Sequence, residues 1–501
     1  VPRTAATPVT IALTVIAGTL MIGIDMTIMN IAIPQLSQET GASLPVIQWT
    51  VTGYTLALAG AVPATAWVIS RFSARRVFLT TLGIFTAGSA LVAFSWNVES
   101  LIAFRVLQGL GGGFVLPAAM TIALSSTPQA DRGRVMAILG LPVLVGPVLG
   151  PVLGGVLIDT LSWRWMFLLN VPVGVLGLAL ALRNLPRLPS GPVPLLDVRG
   201  LLLLPPAMAL LVLGTSFAED NHMIWMVLTL STGLVLTAVF FRHAQRSAMP
   251  LLDVRLLRRR LTGAGTIILF LFSSGYTASM VLLPIYWQVV RGESATATGL
   301  FLAPAGLAAG IAIQISGRLI DRLPPIRVIG TGLVIATLAT AVLMLLLDTE
   351  TPAWQLVVLW TVIAVGAGFT IMPTTTIATR SLEGQEIPSG STIVSLISQV
   401  SGAICVAGVS VLLAAQLVLR LPAAADGGVG SLYALPPREL TELAPEIAGA
   451  LQIALCLPVI LTAAATVVAL ITLRNVPAPQ ATQLPGDTDS QLSTDQDTAT
   501  H

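Results

Sequence analysis

GPVLGPVLGG, Gly146 to Gly155, is the stretch that decides how the rest of the chain is read. Pro147, Pro151 and four glycines would weaken a soluble helix badly, through lost hydrogen bonds and lost backbone entropy. In lipid they are tolerated where neighbouring helices pack closely against the exposed backbone. Gly146, Gly150 and Gly154 fall at i, i+4 and i+8, and Gly155 extends the string, so one helix face carries no side chains. A face that bare admits another backbone, and the prolines let the helix bend. Two readings follow from the spacing: ordinary small-residue packing, or a hinge or seal between two states of a transporter. The rest of the chain favours the second.

The 501 residues are 55% hydrophobic and only 10% charged, with a mean hydropathy of +0.89. A soluble chain carries about 25% charged residues, and repeated apolar runs of about 18 residues or more mark spanning helices. The chain reads as an all-α integral membrane protein. Its net charge of +2 gives no argument for nucleic acid. All 25 basic residues are arginine. Cys405 and Cys456 lie in apolar runs and read as buried small hydrophobes rather than a disulfide or metal site. No cleavable signal peptide is expected, because the first apolar run contains Asp25 and continues to Pro34.

Fourteen spans are predicted, at 9–33, 46–70, 77–95, 100–124, 135–158, 165–184, 200–218, 224–241, 262–290, 295–317, 326–347, 354–378, 387–416 and 448–473. With a cytoplasmic N-terminus, 20 arginines fall on the inner side and only Arg164, Arg291, Arg420 and Arg438 outside. That excess is what the positive-inside rule requires. Both termini are therefore expected in the cytoplasm and the protein in the plasma membrane.

ISRFSARRV at Ile69–Val77 and IDRLPPIRV at Ile320–Val328 align at one offset of 251 residues. Two similar halves are what a rocking transporter uses. The expected organisation is a six-helix bundle at 1–190, two inserted central helices and a basic loop at 191–260, a second six-helix bundle at 261–475, and a disordered acidic tail at 476–501. Within the basic loop, MPLLDVRLLRRR reads as a short amphipathic helix on the inner membrane surface. Outside, AAADGGVGSL reads as flexible and PPRELTELAPEI as a short helix.

Ionisable groups inside a span are expensive and functional by default. Two lie well inside: Asp25 and Arg105. Burial opposes the charged carboxylate and a nearby arginine favours it, so an acid caught between the two can exchange protons as its access switches. The alternative is a fixed Asp25–Arg105 pair that only joins two helices. Tyr54, Gln108, Tyr276, Tyr286, Gln288, Gln314 and Gln399 are candidates to line a cavity, with Trp49 and Trp287 read as lining or as interface anchors. Tyr276 falls at the position matching Asp25 in the second half. There is no GxxxxGK[ST] phosphate loop, and His222, His243 and His501 are dispersed, so neither an ATPase, a metal centre nor another enzyme is expected, and no cofactor.

These motifs resemble those of the major facilitator superfamily, and within it the fourteen-helix drug:proton antiporters. GIDMTIMNIAIP is similar to the first-helix signature, LIAFRVLQGLGGG to the fourth-helix motif, LPVLVGPVLGPVLGG to the fifth-helix antiporter motif and SWRWMFLLNVPVG to the opening of the sixth. LPIYWQVVRGESATATGLFLAPAG resembles the matching second-half segment. The resemblance implies two six-helix bundles plus two extra helices. It gives Asp25 and Arg105 a proton-coupling role and Gly146, Pro147, Gly150, Pro151, Gly154 and Gly155 a conformational one. The loop after helix two departs from the family pattern: AWVISRFSARR has Ala66, Ser70 and Ser73 in place of two glycines and an aspartate. Arg71, Arg75 and Arg76 remain as gate candidates. The second copy, GRLIDRLPPIR, keeps Gly317, Asp321 and Arg322.

The function this implies is export of amphipathic drugs or toxic compounds in exchange for protons. Export of an endogenous metabolite or lipid by the same fold is the alternative, and a non-transporting membrane sensor the next. The partners expected are an amphipathic small molecule, protons and the bilayer; no residue pattern identifies an adaptor protein.

Overall fold

Apolar segments in lipid must satisfy every backbone N–H and C=O internally, and a helix does so within one segment. The computed structural model describes residues 7–40, 44–186, 195–219, 223–384, 386–420 and 437–478. It is helical throughout that set, in fourteen columns. The first six are α1 (Pro8–Thr40), α2 (Val46–Phe72), α3 (Ala74–Ala93), α4 (Val98–Ser125), α5 (Arg132–Thr160) and α6 (Trp163–Asn184). The insertion supplies α7 (Val198–Glu219) and α8 (Met223–Arg246). The rest are α9 (Arg260–Val290), α10 (Ala295–Leu319), α11 (Pro325–Leu346), α12 (Ala353–Arg380), α13 (Glu386–Arg420) and α14 (Arg438–Leu473). Twelve are long and apolar enough over the described residues to cross a membrane. α5, at 29 residues, and α7, at 22, complete the set.

α1 to α6 form one bundle and α9 to α14 the other, with the same neighbours in each. α1 packs on α5 as α9 packs on α13, and α3 packs on α4 as α11 packs on α12. α3 begins at Ala74 and α11 at Pro325, the same 251-residue offset that the loop repeat showed. The bundles meet along α5 with α10 and along α2 with α13, two seams related by that repeat.

The inserted helices are central in sequence but peripheral in space. α7 lies against α2 and α13, over one seam, and α8 packs on α7. α8 presents Ile224, Trp225, Leu228 and Val235 outward, as a lipid-facing helix should.

Two expected loop features come out differently. The basic strap before α9 is a short 3-10 turn, Val254–Arg258, and Leu251, Leu252, Val254 and Leu256 are buried in the protein core rather than laid on a membrane. Its end is fixed by Arg259, which donates to Glu386 at 2.8 and 2.5 Å and to the Ser381 carbonyl. The expected short helix in PPRELTELAPEI is helical from Pro437 but continues past Ile447 as the first turns of α14, with Glu439, Glu442 and Glu446 exposed and Ile447 and Leu451 buried. The AAADGGVGSL run and residues 479–501 of the acidic tail lie outside the described residues.

α2 is interrupted by a 3-10 turn at Val62–Ala64, around Pro63, where both α7 and α13 touch it. It ends at Ser73, whose φ is +71° and ψ 144°. That conformation suits glycine, and a serine held there costs about 1–3 kcal/mol. The backbone here has a shape that glycine adopts without strain. Ser73→Gly is expected to raise unfolding stability by about 1 kcal/mol, read as a higher midpoint in thermal unfolding in detergent.

Candidate functional site: a buried ion pair and a cross-bundle latch

Asp25 lies midway along α1 and Arg105 near the start of α4, and both are fully buried. Arg105 donates through Nη1 to Asp25 Oδ2 at 2.6 Å and to Gln108 Oε1 at 2.8 Å, and through Nε to the Thr50 carbonyl at 3.1 Å. Its guanidinium lies over the Tyr54 ring, 4.1 Å from the centroid, and 5.5 Å from that of Phe167. Gln108 Nε2 donates to Asp25 Oδ1 at 3.0 Å, and Asn170 Nδ2 approaches the same oxygen at 3.4 Å. Ser89 accepts from both amides, at 3.2 and 3.0 Å, and donates to the Phe167 carbonyl. Five helices therefore converge on one carboxylate and one guanidinium.

Glycine makes the convergence possible. A Cβ on Gly109 would sit 2.3 Å from the Tyr54 carbonyl oxygen, and one on Gly113 2.5 Å from that of Leu58, so α4 rests directly on α2. α1 meets α5 in the same way: a Cβ on Gly146 would lie 2.8 Å from the carbonyl carbon of Gly23. The side-chain-free face of α5 thus presses on α1 two residues before Asp25. α5 runs unbroken from Arg132 to Thr160, and Gly150 and Gly154 are buried. The surroundings of Pro147, Pro151 and Gly155 lie outside the described residues.

The second assembly ties the bundles together where α4–α5, α10–α11 and α12–α13 connect, called here the basic end for its arginines. Asp321 accepts from the backbone N–H groups of Gly133 and Arg134, each at 3.0 Å, and so caps the N-terminus of α5. Gly317 is required beside it, since a Cβ there would lie 2.3 Å from that of Ala137. The opposite helix pole is treated with the opposite charge. Arg132 Nη1 donates to the carbonyls of Thr379, Arg380 and Leu382, and Gln129 to that of Arg380, at the C-terminus of α12. Among the described residues, every hydrogen bond between the bundles lies in this half. A core that draws on both bundles lies there, whereas the cores of the far halves are distinct from each other, Ala137 of α5 being the one first-bundle residue in the second bundle's cluster among the described residues.

The other gate candidates do not reach across. Arg71 lies over its neighbour Phe72, Arg75 donates to the Leu182 carbonyl within its own bundle, and Arg76 and Arg322 are exposed. Ser70 donates to the Ala66 carbonyl one turn back. Only the second-half copy makes the latch.

The cavity candidates divide. Tyr54 and Gln108 belong to the ion-pair site. Tyr276, at the repeat position of Asp25, stacks between Phe272 and Trp360, with centroids at 6.2 and 5.6 Å. Gln314 donates to the Ala137 carbonyl at the seam, and Gln288 and Gln399 are half-buried. Tyr286 is fully buried and donates to the Asp348 carbonyl at 2.7 Å, so it fastens a loop. Trp287 is buried beside Phe301, while Trp49 is 47% exposed, as an interface anchor is. Sequence reasoning passed over Asn170, Ser89, Arg132 and Gln129. An asparagine and a serine amid apolar helix residues were the available signal for the first two; the others look like ordinary loop-end residues.

A sequence model described as "Major Facilitator Superfamily" matches residues 15–406. The "Multidrug resistance protein B homolog" of Mycobacterium tuberculosis (strain ATCC 25618 / H37Rv) is 34% identical over 487 residues, covering 93% of this chain and 89% of that protein. The "Putative multidrug resistance protein MdtD" of Escherichia coli O157:H7 (strain EC4115 / EHEC) is 29% identical over 391 residues, covering 77% and 82%. In fold, the chain is similar to the human organic anion transporter MFSD10, with a TM-score of 0.61 at 18% identity over 92% of this chain and 99% of that one. It is also similar to the proton:xylose symporter XylE, with a TM-score of 0.57 at 13% identity over 94% and 96%.

Removing one partner of a buried pair strands the other charge, at about 3–5 kcal/mol. Asp25→Ala is expected to cost that much in unfolding free energy. The double variant Asp25→Asn with Arg105→Gln is expected to recover most of it, read as a thermal double-mutant cycle in detergent. A second expectation concerns Asp321, whose carboxyl is pushed up to about 6 by burial, against the pull of the two backbone donors. A raised carboxyl favours closure of the latch while protonated. That contribution is full below the ordinary value of 3.8 and is lost as pH rises through about 6. Closure, read as the distance between labels on the α4–α5 and α10–α11 loops, is expected to weaken over that range, and Asp321→Asn to flatten the dependence.

Proposed function

Because this chain belongs to the Major Facilitator Superfamily, a family of transporters rather than enzymes, we propose that it exports amphipathic drugs or toxic compounds across the plasma membrane in exchange for protons, with Asp25 as the proton-carrying group. The observation that carries the reading is the Asp25–Arg105–Gln108–Asn170 network, buried in the first bundle only. The names of the M. tuberculosis and E. coli relatives supply the substrate class.

As a carboxylate, Asp25 holds the amides of Gln108 and Asn170 and the guanidinium of Arg105 together. Taking up a proton cancels its charge and frees Arg105 from that partner. Arg105 keeps Gln108, the Thr50 carbonyl and the Tyr54 face, so it stays charged and orders the site without carrying the proton itself.

α5 carries the consequence to the gate. Gly146 bears on α1 beside Asp25, and Gly133, thirteen residues along the same rod, is held by Asp321 of the second bundle. At 1.5 Å per residue the two points are about 20 Å apart. A shift of α1 against α5 therefore bears on the cross-bundle latch. By the positive-inside rule the basic end is cytoplasmic, which makes the form described one closed to the cytoplasm. Protons entering from outside would supply the work, the membrane potential alone giving about 2.3 kcal/mol per charge per 100 mV.

The test is reconstitution in vesicles with an imposed pH gradient and ethidium as the transported probe. Wild-type protein is expected to accumulate ethidium against its gradient and to move protons the other way. Asp25→Asn is expected to lower proton-linked accumulation by at least tenfold. Proton movement that survives this change rules out Asp25 as the carrier, and a wild-type protein with no ethidium flux rules out drug export.

A further inference from the structure

His243 is the one histidine among the described residues, and the ion-pair mechanism does not use it. It stands in the last turn of α8, at the basic end. Its Nε2 donates to both oxygens of Asp197, at 2.8 and 3.0 Å. Asp197 sits just before α7 and accepts two backbone bonds as well, from Gly200 at 2.9 Å and from Leu251 of the strap at 3.0 Å. One carboxylate therefore knots the start of α7, the end of α8 and the strap that leads into α9. Gly200 lets them meet: a Cβ there would lie 2.5 Å from Asp197 Oδ2 and 2.9 Å from the Leu251 Cβ.

The knot closes a bracket across the two bundles. α7 rests on α2 of the first and on α13 of the second. The strap sends Leu251, Leu252, Val254 and Leu256 into the core that draws on both. Arg259 then fastens the end of the strap to Glu386 of α13. When the bundles part at the basic end, α7 must give up its place on α2 or on α13. A knot that ties α7 to the strap resists that movement.

The chemistry of the knot changes over an ordinary pH range. The Asp197 side chain is 6% exposed and that of His243 22%. Burial works against the Asp197 charge, but the Gly200 N–H, His243 and the Leu251 N–H outweigh it and hold the carboxyl below its ordinary value. What Asp197 contributes as a carboxylate is lost only as pH falls below that value. An imidazole changes charge between about pH 5 and 8. With Nε2 committed to Asp197, the incoming proton goes to Nδ1. The neutral bond then becomes a charge-assisted one, about twice as strong. Among the described residues no other charged group bonds the ring. Arg199 of α7, Arg242 and Arg246 of α8 and Arg258 of the strap are exposed. Arg255 donates to the Ser247 carbonyl, and Asp253 accepts from the Arg255 N–H.

We propose that the Asp197–His243 knot is a pH-sensitive brace: protonation of His243 tightens it and holds the basic end closed. By the positive-inside rule that end faces the cytoplasm. An exporter driven by protons brings them in, so an acidified cytoplasm slows further entry. This last consequence rests on the exporter reading above, whereas the brace requires only that the bundles part.

The test is the distance between labels on the α4–α5 and α10–α11 loops, followed from about pH 8 to about pH 5.5 on the basic-end side. Doubling the strength of one neutral bond is about fivefold in an equilibrium. On acidification the ratio of closed to open protein is expected to rise about fivefold more in wild type than in His243→Gln, which keeps a neutral donor for Asp197. Asp197→Asn keeps an acceptor for Gly200 and Leu251 and is expected to remove the same factor, and the double variant no more than either. Asp321 is intact in all of them, so its own pH dependence cancels. A knot that is merely structural lowers the thermal midpoint of both variants and leaves the pH dependence of the distance as in wild type, which overturns the proposal. A loss in His243→Gln that a folded Asp197→Asn does not reproduce also overturns it. Should Asp197→Asn fail to fold, His243→Gln alone decides. Should the wild-type protein move no ethidium, the exporter reading fails, while the label distances still decide the brace.

Discussion

A carboxylate and a guanidinium inside a bilayer protein cannot be left apart, because either alone would be stranded away from water. Asp25 and Arg105 meet at 2.6 Å, and the packing around them is arranged to let them do so. Arg105 reaches its place only because α4 lies on the backbone of α2 through Gly109 and Gly113. Asp25 is presented from an α1 that α5 presses from behind, at Gly23 and Gly146. Glycines that would be liabilities in water are the means by which polar groups from five helices reach one point.

The two bundles repeat each other in helix packing and differ in chemistry. Where the first places Asp25 between α1 and α4, the second places Tyr276, stacked on Trp360 between α9 and α12. The loops diverge as well. Asp321 caps the α5 terminus across the seam, while its counterpart Ser70 turns back on its own helix. The closed end is therefore held by Asp321 on a helix N-terminus and by Arg132 with Gln129 on a helix C-terminus. Ser73 holds a positive φ that glycine adopts without strain.

Much of this was legible in the chain. Span count, the 251-residue repeat and the presence of one acid and one base inside the membrane followed from apolar run length, arginine spacing and the cost of charge in lipid, and the retention of Gly317 and Asp321 in GRLIDRLPPIR from the resemblance. The strap at Val254–Arg258 looked like a surface helix because composition records amphipathicity without recording what covers it. Asn170 and Arg132 escaped notice because a lone amide or a loop-end arginine acquires its role only from what lies opposite it.

The sequence by itself determined that the chain crosses the membrane many times, in two related halves, with one acid and one base inside, since each of these depends on how single residues partition between water and lipid. Tertiary structure alone decided that α7 and α8 lie outside the bundles, that Asn170 and Ser89 join the ion pair, and that the halves close at the basic end. Those outcomes depend on which helix faces meet, and a backbone contact such as Gly23 on Gly146 joins positions 123 residues apart whose partnership neither segment encodes alone.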